Sequence, residues 1–241
     1  MSRPEPAAGV FETVRVEQAR ALCLALHLER LRASALALYG DEPGGDLDAC
    51  VAHAMRAAAV DQPCRLRIVV VPGEAPQAAL APLGPAASRA AVPLRPWTLP
   101  GGLGPHKWVD RRLVDEASRR LGATPLIVEP DGEVLEAAWG NVWALEGGRL
   151  ITPAADGRLL PGVTRSRLLD VAAELGFEAA EERLTLDCLA RADAIFVTSA
   201  LRLAVPARIE PGPGPEGDDS VGAVAAVLRE RALALAEASG T

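Results

Sequence analysis

Lysine is all but missing from this chain. Of 25 Lys+Arg side chains in 241 residues, Lys107 is the single lysine and the other 24 are arginine. Net basic charge is missing too: the formal charge is -7 and the pI about 5.1. That excludes a nucleic-acid binder, which needs a basic face, and fits small-molecule chemistry. The four cysteines, Cys23, Cys50, Cys64 and Cys188, form no CxxC pair and match no zinc spacing. They read as free thiols in a reducing compartment. The three histidines, His27, His53 and His106, have no metal-ligand spacing, and no GxSxG elbow accompanies them. No metal is expected. No apolar run reaches the roughly 18 residues of a membrane span. The start, "MSRPEPAAGVFETVRV", has no apolar signal core. A cytoplasmic protein is expected, with no membrane and no nucleic acid as partner.

Hydrophobic residues, at 49%, suffice for a sizeable core. "GVFETVRV" (9–16) reads as a strand, 27–40 as a helix stopped by Gly40, 46–60 as a second helix and 64–71 as a strand. "VPLRPWTLPGGLGP" (92–105) is rich in proline and glycine and reads as a connector, with "GGLG" (101–104) a flexible stretch. The expected division is 1–97, a linker at 98–105, and 106–241. Beyond it, 107–122 reads as a helix. Two strand pairs follow, around Pro130-Asp131-Gly132 and Gly147-Gly148. Further helices are expected at 163–176, at "LTLDCLARA" with Thr185 as a cap, and at the C-terminal end. "AIFVTSA" and "LAVPARIE" read as strands, and 211–219 as a mobile loop. This is an α+β pattern in two halves, without internal repeats.

The lone lysine admits two readings. It is a leftover of a composition that disfavours lysine, or it is kept for chemistry. Arginine replaces lysine as a charge but not as an amine, and only an amine forms a Schiff base with a carbonyl. "LLPGVTRSRLLD" (159–170) leads Pro-Gly straight into an amphipathic helix. That is a plain helix start, or an anion site built from unpaired backbone N–H groups. Glu136, in "EVLEAAWGNVW", points to solvent or is a paired carboxylate in apolar surroundings. Arg30 is a solvated helical arginine or an anion ligand. Taken together, one amine, one strand carboxylate, one arginine and one helix start are what pyridoxal 5′-phosphate (PLP) requires.

In order along the chain stand "FETVRV", "HLERL", "HKWVDR", "EAAWGNVW", "LITP", "LLPGVTRSRLLDVA", "EERLTLDCL" and "AIFVTSALRLAVPARI". Over residues 9 to about 210 the chain resembles the class IV aminotransferase-like PLP enzymes of fold type IV. These include branched-chain and D-amino-acid aminotransferases and 4-amino-4-deoxychorismate lyase. The resemblance implies a two-domain α+β fold like that of D-amino-acid aminotransferase. In it a small N-terminal α/β domain and a larger C-terminal domain hold PLP in the cleft, and the protein is a homodimer. It implies that Lys107 carries the cofactor as a Schiff base and shuttles protons, and that Glu136 partners the pyridine nitrogen. Arg30 is then the phosphate arginine. Val163 and Thr164 bind phosphate through backbone N–H groups, Ser199 and Ala200 cover it from the other side, and Asn141 supports the site.

The chain departs from the family pattern in three places. It lacks the opening hairpin, has Asp110 where asparagine is frequent, and has Ala200 where aminotransferases carry threonine. "FETVRV", "TSALR" and Ala200 lean toward the lyase that makes 4-aminobenzoate and pyruvate for folate synthesis. The alternatives are an aminotransferase for branched-chain or D-amino acids, and a PLP-binding protein without turnover. Arg15, Arg111 and Arg202 are candidates to grip a carboxylate of the amino substrate.

Overall fold

The computed structural model describes residues 2–43, 45–59, 61–84, 90–211 and 219–238. Backbone contacts gather them into two compact units, one from residues 1–86, 106–111 and 230–241, the other from 87–105 and 112–229.

The first unit is a four-stranded antiparallel sheet, β1 (Val10–Glu17), β2 (Arg20–Ala21), β3 (Cys64–Val70) and β4 (Gln77–Pro82), in the order β2-β1-β3-β4. Two helices join it, α1 (Leu24–Tyr39) and α2 (Leu47–Met55). Period-two alternation gives the sheet its faces. Val10, Val14 and Val16 of β1 join Leu66, Ile68 and Val70 of β3 in a core with Leu28, Leu31 and Ala35 of α1. Phe11, Thr13, Arg15, Arg65 and Arg67 take the opposite face. Gly40 ends α1 in the left-handed region and donates its N–H to the Leu36 carbonyl. Asp46 caps α2 through the Ala49 N–H at 2.8 Å.

The second unit holds a nine-stranded mixed sheet. Its strands are β5 (Val92–Thr98), β6 (Thr124–Val128), β7 (Glu133–Ala137), β8 (Asn141–Glu146), β9 (Arg149–Thr152), β10 (Glu178–Glu181), β11 (Leu184–Thr185), β12 (Ala194–Ser199) and β13 (Leu203–Ile209). Their order is β10-β9-β8-β12-β13-β5-β6-β7-β11. Helices α3 (Arg112–Leu121), α4 (Val163–Val171), α5 (Leu186–Arg191) and α6 (Asp219–Ala238) complete the chain. One core gathers Leu126, Val134, Val142 and Val197; another gathers Trp143, Phe196, Leu168, Val221 and Val224. The Trp143 and Phe196 rings stack 5.8 Å apart. Thr185 caps α5 as expected, accepting from the Cys188 N–H.

Three expectations are corrected. The connector at 92–105 contains β5, an interior strand. Its neighbours engage staggered halves, β13 at 92–94 and β6 at 94–98, so Pro93 and Pro96 each face only one paired partner and forfeit little of the ladder. "GGLG" is not a flexible stretch. Gly102 sits at φ +58°, and a Cβ there would lie 2.0 Å from the Arg158 carbonyl oxygen. The helix expected at 107–122 starts at Arg112, because residues 107–109 are extended against β1. The Phe11 N–H donates to the Lys107 carbonyl at 2.9 Å, and the Val109 N–H to the Gly9 carbonyl at 3.0 Å. β2 covers only the far end of β1, and 107–109 takes the edge it leaves. β5 belongs with the large sheet, and 106–111 with the small one. The loop expected at 211–219 lies almost wholly outside the described residues.

Candidate active site

In the first unit, Lys107 is fixed by its own backbone to the strand that carries Phe11 and Glu12. Its Nζ stands 5.0 Å from the Phe11 ring centroid, and the Arg67 guanidinium 3.9 Å from the same ring. Next to it, His106 packs edge-on against Trp108 and shares a 3.1 Å hydrogen bond with Ser34. Burial pushes the His106 pKa down. Gly9, just before β1, is at φ +97°, and a Cβ would meet the Val70 carbonyl oxygen at 2.5 Å, so the approach of this segment requires glycine.

Arg30 is not a solvated arginine. Its side chain is 12% exposed, and it grips Glu12 side-on, Nε to Oε1 at 2.7 Å and Nη2 to Oε2 at 2.8 Å. His27, one turn earlier on α1, reaches Glu12 Oε2 through Nδ1 at 2.8 Å. Burial alone would raise the Glu12 pKa, but the Arg30 charge and hydrogen bonds from His27 and Arg30 outweigh it and hold it at about 2. An ionised carboxylate only accepts, so Nδ1 carries the proton. Burial first, then the charges of Arg30 and Lys107, push the His27 pKa down against the pull of Glu12. His27 is therefore neutral. Sequence reasoning missed Glu12 and His27. The signal was present: Glu12 is the lone acid on the valine-bearing, helix-facing side of β1, and a buried carboxylate demands partners.

Phe11, Thr13, Arg15 and Arg67 share the other face of this sheet, with Thr13 opposite Arg67 and Arg15 opposite Arg65. Burial lowers the Arg67 pKa, and the neighbouring charges of Arg65 and Arg111 lower it further. Arg15 pairs with Glu17 on its own strand.

The second unit brings together the remaining candidates. Glu136 on β7 is 4% exposed and does not point to solvent; the Leu160 N–H donates to its Oε2 at 3.3 Å. Asn141 donates from Nδ2 to the Leu160 carbonyl at 2.9 Å. The Leu160 residue is thus held by Glu136 at one end and Asn141 at the other. Asn141 Oδ1 occupies the space beside Gly162, where a Cβ would come within 1.9 Å of it. Gly162 is the N-cap of α4 and offers no side-chain cap, so the first-turn N–H groups of the buried Val163 and Thr164 have no acceptor within the helix. Asn141 also stands opposite Thr198 in the β8–β12 pairing, next to Ser199. The turn at 199–202 follows, where Ser199 Oγ accepts from the Arg202 N–H at 3.4 Å and the Arg202 guanidinium lies 4.8 Å over Trp139. Asn141 is therefore the hinge pin among Glu136, the start of α4 and the Ser199–Ala200 turn. Arg165, one residue further into α4, is buried, donates to the Pro153 carbonyl at 2.6 Å and pairs with Glu181.

The sequence matches the family model for amino-transferase class IV over residues 9–209, and the chain belongs to that family. The branched-chain-amino-acid aminotransferase of Escherichia coli (strain K12) is 32% identical over 97 residues, 40% of this chain and 31% of the relative. The match thus spans less than a third of that relative's length. A Legionella pneumophila protein described provisionally as a 4-amino-4-deoxychorismate lyase superposes with TM-score 0.79 at 22% identity, covering 93% of this chain and 91% of its own. The PLP-bound form of a hypothetical aminotransferase from Mycobacterium tuberculosis gives TM-score 0.75 at 24% identity, over 96% and 93% of the two chains. The α+β fold is that of the fold type IV PLP enzymes.

Enzymes of this class use PLP, and the donor set fits it. The first unit offers the one side-chain amine and a fixed guanidinium. The second offers a buried carboxylate and a helix N-terminus whose N-cap, Gly162, carries no side chain of its own.

Proposed function

We propose that the protein is a PLP-dependent lyase that converts 4-amino-4-deoxychorismate to 4-aminobenzoate and pyruvate. One observation carries the choice of substrate. The sheet face bearing Phe11, the ring under Lys107 Nζ, also bears Arg65 and Arg67, and Arg111 adds its charge to Arg67, while Arg15 on that face is paired with Glu17. So much positive charge beside the amine suits a substrate with two carboxylates. A branched-chain amino acid has one carboxylate and an apolar side chain, and that side chain gains nothing from guanidinium groups.

Bound PLP supplies an aldehyde for the substrate amine and a ring that withdraws electrons. Lys107 holds the cofactor and then moves a proton. Its amine would take a proton from the ring carbon bearing the substrate nitrogen, the electron pair left behind would expel the enolpyruvyl oxygen from the neighbouring ring carbon, and the same proton would go to the enolpyruvate methylene to complete the methyl group of pyruvate. Glu136, a carboxylate buried on β7, would pair with the pyridine nitrogen and favour its protonated form. Arg30 and the Val163 and Thr164 N–H groups bind the phosphate, with Ser199 and Ala200 beside it. The same reading expects a cytoplasmic homodimer and a domain division close to residues 98–105.

The test is incubation with 4-amino-4-deoxychorismate and no keto acid. Equimolar 4-aminobenzoate and pyruvate are expected. No product, together with conversion of the cofactor to its amine form by leucine or D-alanine, would replace the lyase by an aminotransferase, the reading that the Escherichia coli relative favours.

A further inference from the structure

Glu12 has no part in the reaction above, yet the structure invests a great deal in it. It is 1% exposed, between Val10 and Val14 on the helix-facing side of β1. Its two oxygens accept from Arg30 Nε, Arg30 Nη2, His27 Nδ1 and, at 3.3 Å, the Thr13 N–H. A buried ion pair of this kind is a poor way to gain stability, because an apolar pair of similar volume avoids the desolvation cost. What it does supply is orientation. Two parallel N–H···O bonds fix the plane of the guanidinium as one bond cannot. His27, neutral and donating, fixes the carboxylate in turn. The chain of contacts runs from α1 to the strand on which Lys107 is pinned, and the Lys107 charge is felt at His27.

We propose that Glu12 is a positioning residue for the cofactor phosphate: it holds the Arg30 guanidinium in one orientation, and His27 holds Glu12. This rests on the assignment of Arg30 to the phosphate. Pre-orienting a long side chain removes an entropic cost from binding without adding a contact.

The experiment compares the affinities of PLP and of pyridoxal, which lacks the phosphate, by absorbance titration of the apoprotein at pH 7.5, a condition chosen as about neutral. In Glu12→Gln the PLP dissociation constant is expected to rise about tenfold, while that of pyridoxal changes less than about threefold. In an Arg30→Gln background, Glu12→Gln is expected to add no further loss, since it acts through Arg30. The phosphorus NMR line of bound PLP is expected to shift in Glu12→Gln. Equal losses for PLP and pyridoxal, or additive losses in the double variant, would make Glu12 a merely structural residue and overturn the proposal. If Arg30→Gln leaves the PLP-to-pyridoxal ratio unchanged, the phosphate assignment itself fails, and the proposal with it. Should Glu12→Gln not fold, Glu12→Asp keeps the charge but withdraws it by one methylene, and the same outcomes decide.

Discussion

Replacing Lys107 by arginine keeps a cation near the Phe11 ring and removes only the amine. Activity is expected to fall by at least about a thousandfold while the thermal midpoint barely moves. Borohydride reduction of PLP-loaded wild type is expected to fix one cofactor mass on the peptide containing Lys107, and none in Lys107→Arg. Gly162 makes a second test at the same scale. An added methyl would lie 1.9 Å from Asn141 Oδ1, so Asn141 must swing away and give up the Leu160 carbonyl. Gly162→Ala is expected to cost about 1–3 kcal/mol in denaturant titrations. Adding Asn141→Ala relieves the clash, so the double variant is expected to be more stable than the sum of the singles. How much of this was legible in the sequence depends on the residue. Lys107 stood out by rarity alone. Asn141 did not, because its importance lies in two neighbours, Leu160 and Gly162, that come near only when β8 and the start of α4 meet. Arg30 was legible as a candidate, but its partner Glu12 is separated from it by 18 positions and a change from strand to helix.

The β1–β2 hairpin shows where an element was built against its local preferences. Its two-residue turn, Gln18-Ala19, has φ of +51° and +59°, the conformation for which Asn-Gly is favoured. Each L side chain there carries strain on the order of 1 kcal/mol. Gln18→Asn with Ala19→Gly is expected to raise the unfolding midpoint by a few degrees, about 1 kcal/mol, with no change in PLP affinity. A differential scanning trace checks it. That hairpin carries no Asn-Gly or Asp-Gly signal, and the short β2 is invisible to pattern reading for this reason. β5 was hidden differently, since its prolines announce a connector and only the staggered pairing lets them sit inside a sheet. The start of α3 was misplaced because residues 107–111 carry no breaker. What prevents a helix there is not local: the open edge of β1, nearly a hundred residues earlier, claims the backbone of Lys107 and Val109. Where the determinants were local, as in the Pro130-Asp131-Gly132 turn between β6 and β7 or the Thr185 cap of α5, pattern and structure agree.

At the scale of the molecule, the small unit is expected to be the acid-sensitive part, and the sign follows from two groups. His27 has its folded pKa below the ordinary 6.5, so on acidification the unfolded chain takes up a proton that the folded one refuses. Stability is full above 6.5 and falls as the pH drops below it. Glu12 is ionised in the fold down to about 2, while the unfolded side chain protonates near 4.5. Its contribution is full above 4.5 and is lost as the pH falls toward 2, up to about 3 kcal/mol in total. Both effects point the same way, giving a two-step decline, a shallow one below about 6.5 and a steeper one below about 4.5. Urea titrations at a series of pH values from neutral to acid, followed by the fluorescence of Trp108 in the small unit, measure it. Replacing the other three tryptophans, Trp97, Trp139 and Trp143, by phenylalanine makes the signal specific. In that background His27→Gln is expected to flatten the first step and leave the second, and Glu12→Gln to flatten the second. If Glu12→Gln leaves the acid limb unchanged, the carboxylate is not held ionised by Arg30. The pairing that orients the guanidinium would then be absent in solution, and with it the reason for a buried acid on the apolar face of β1.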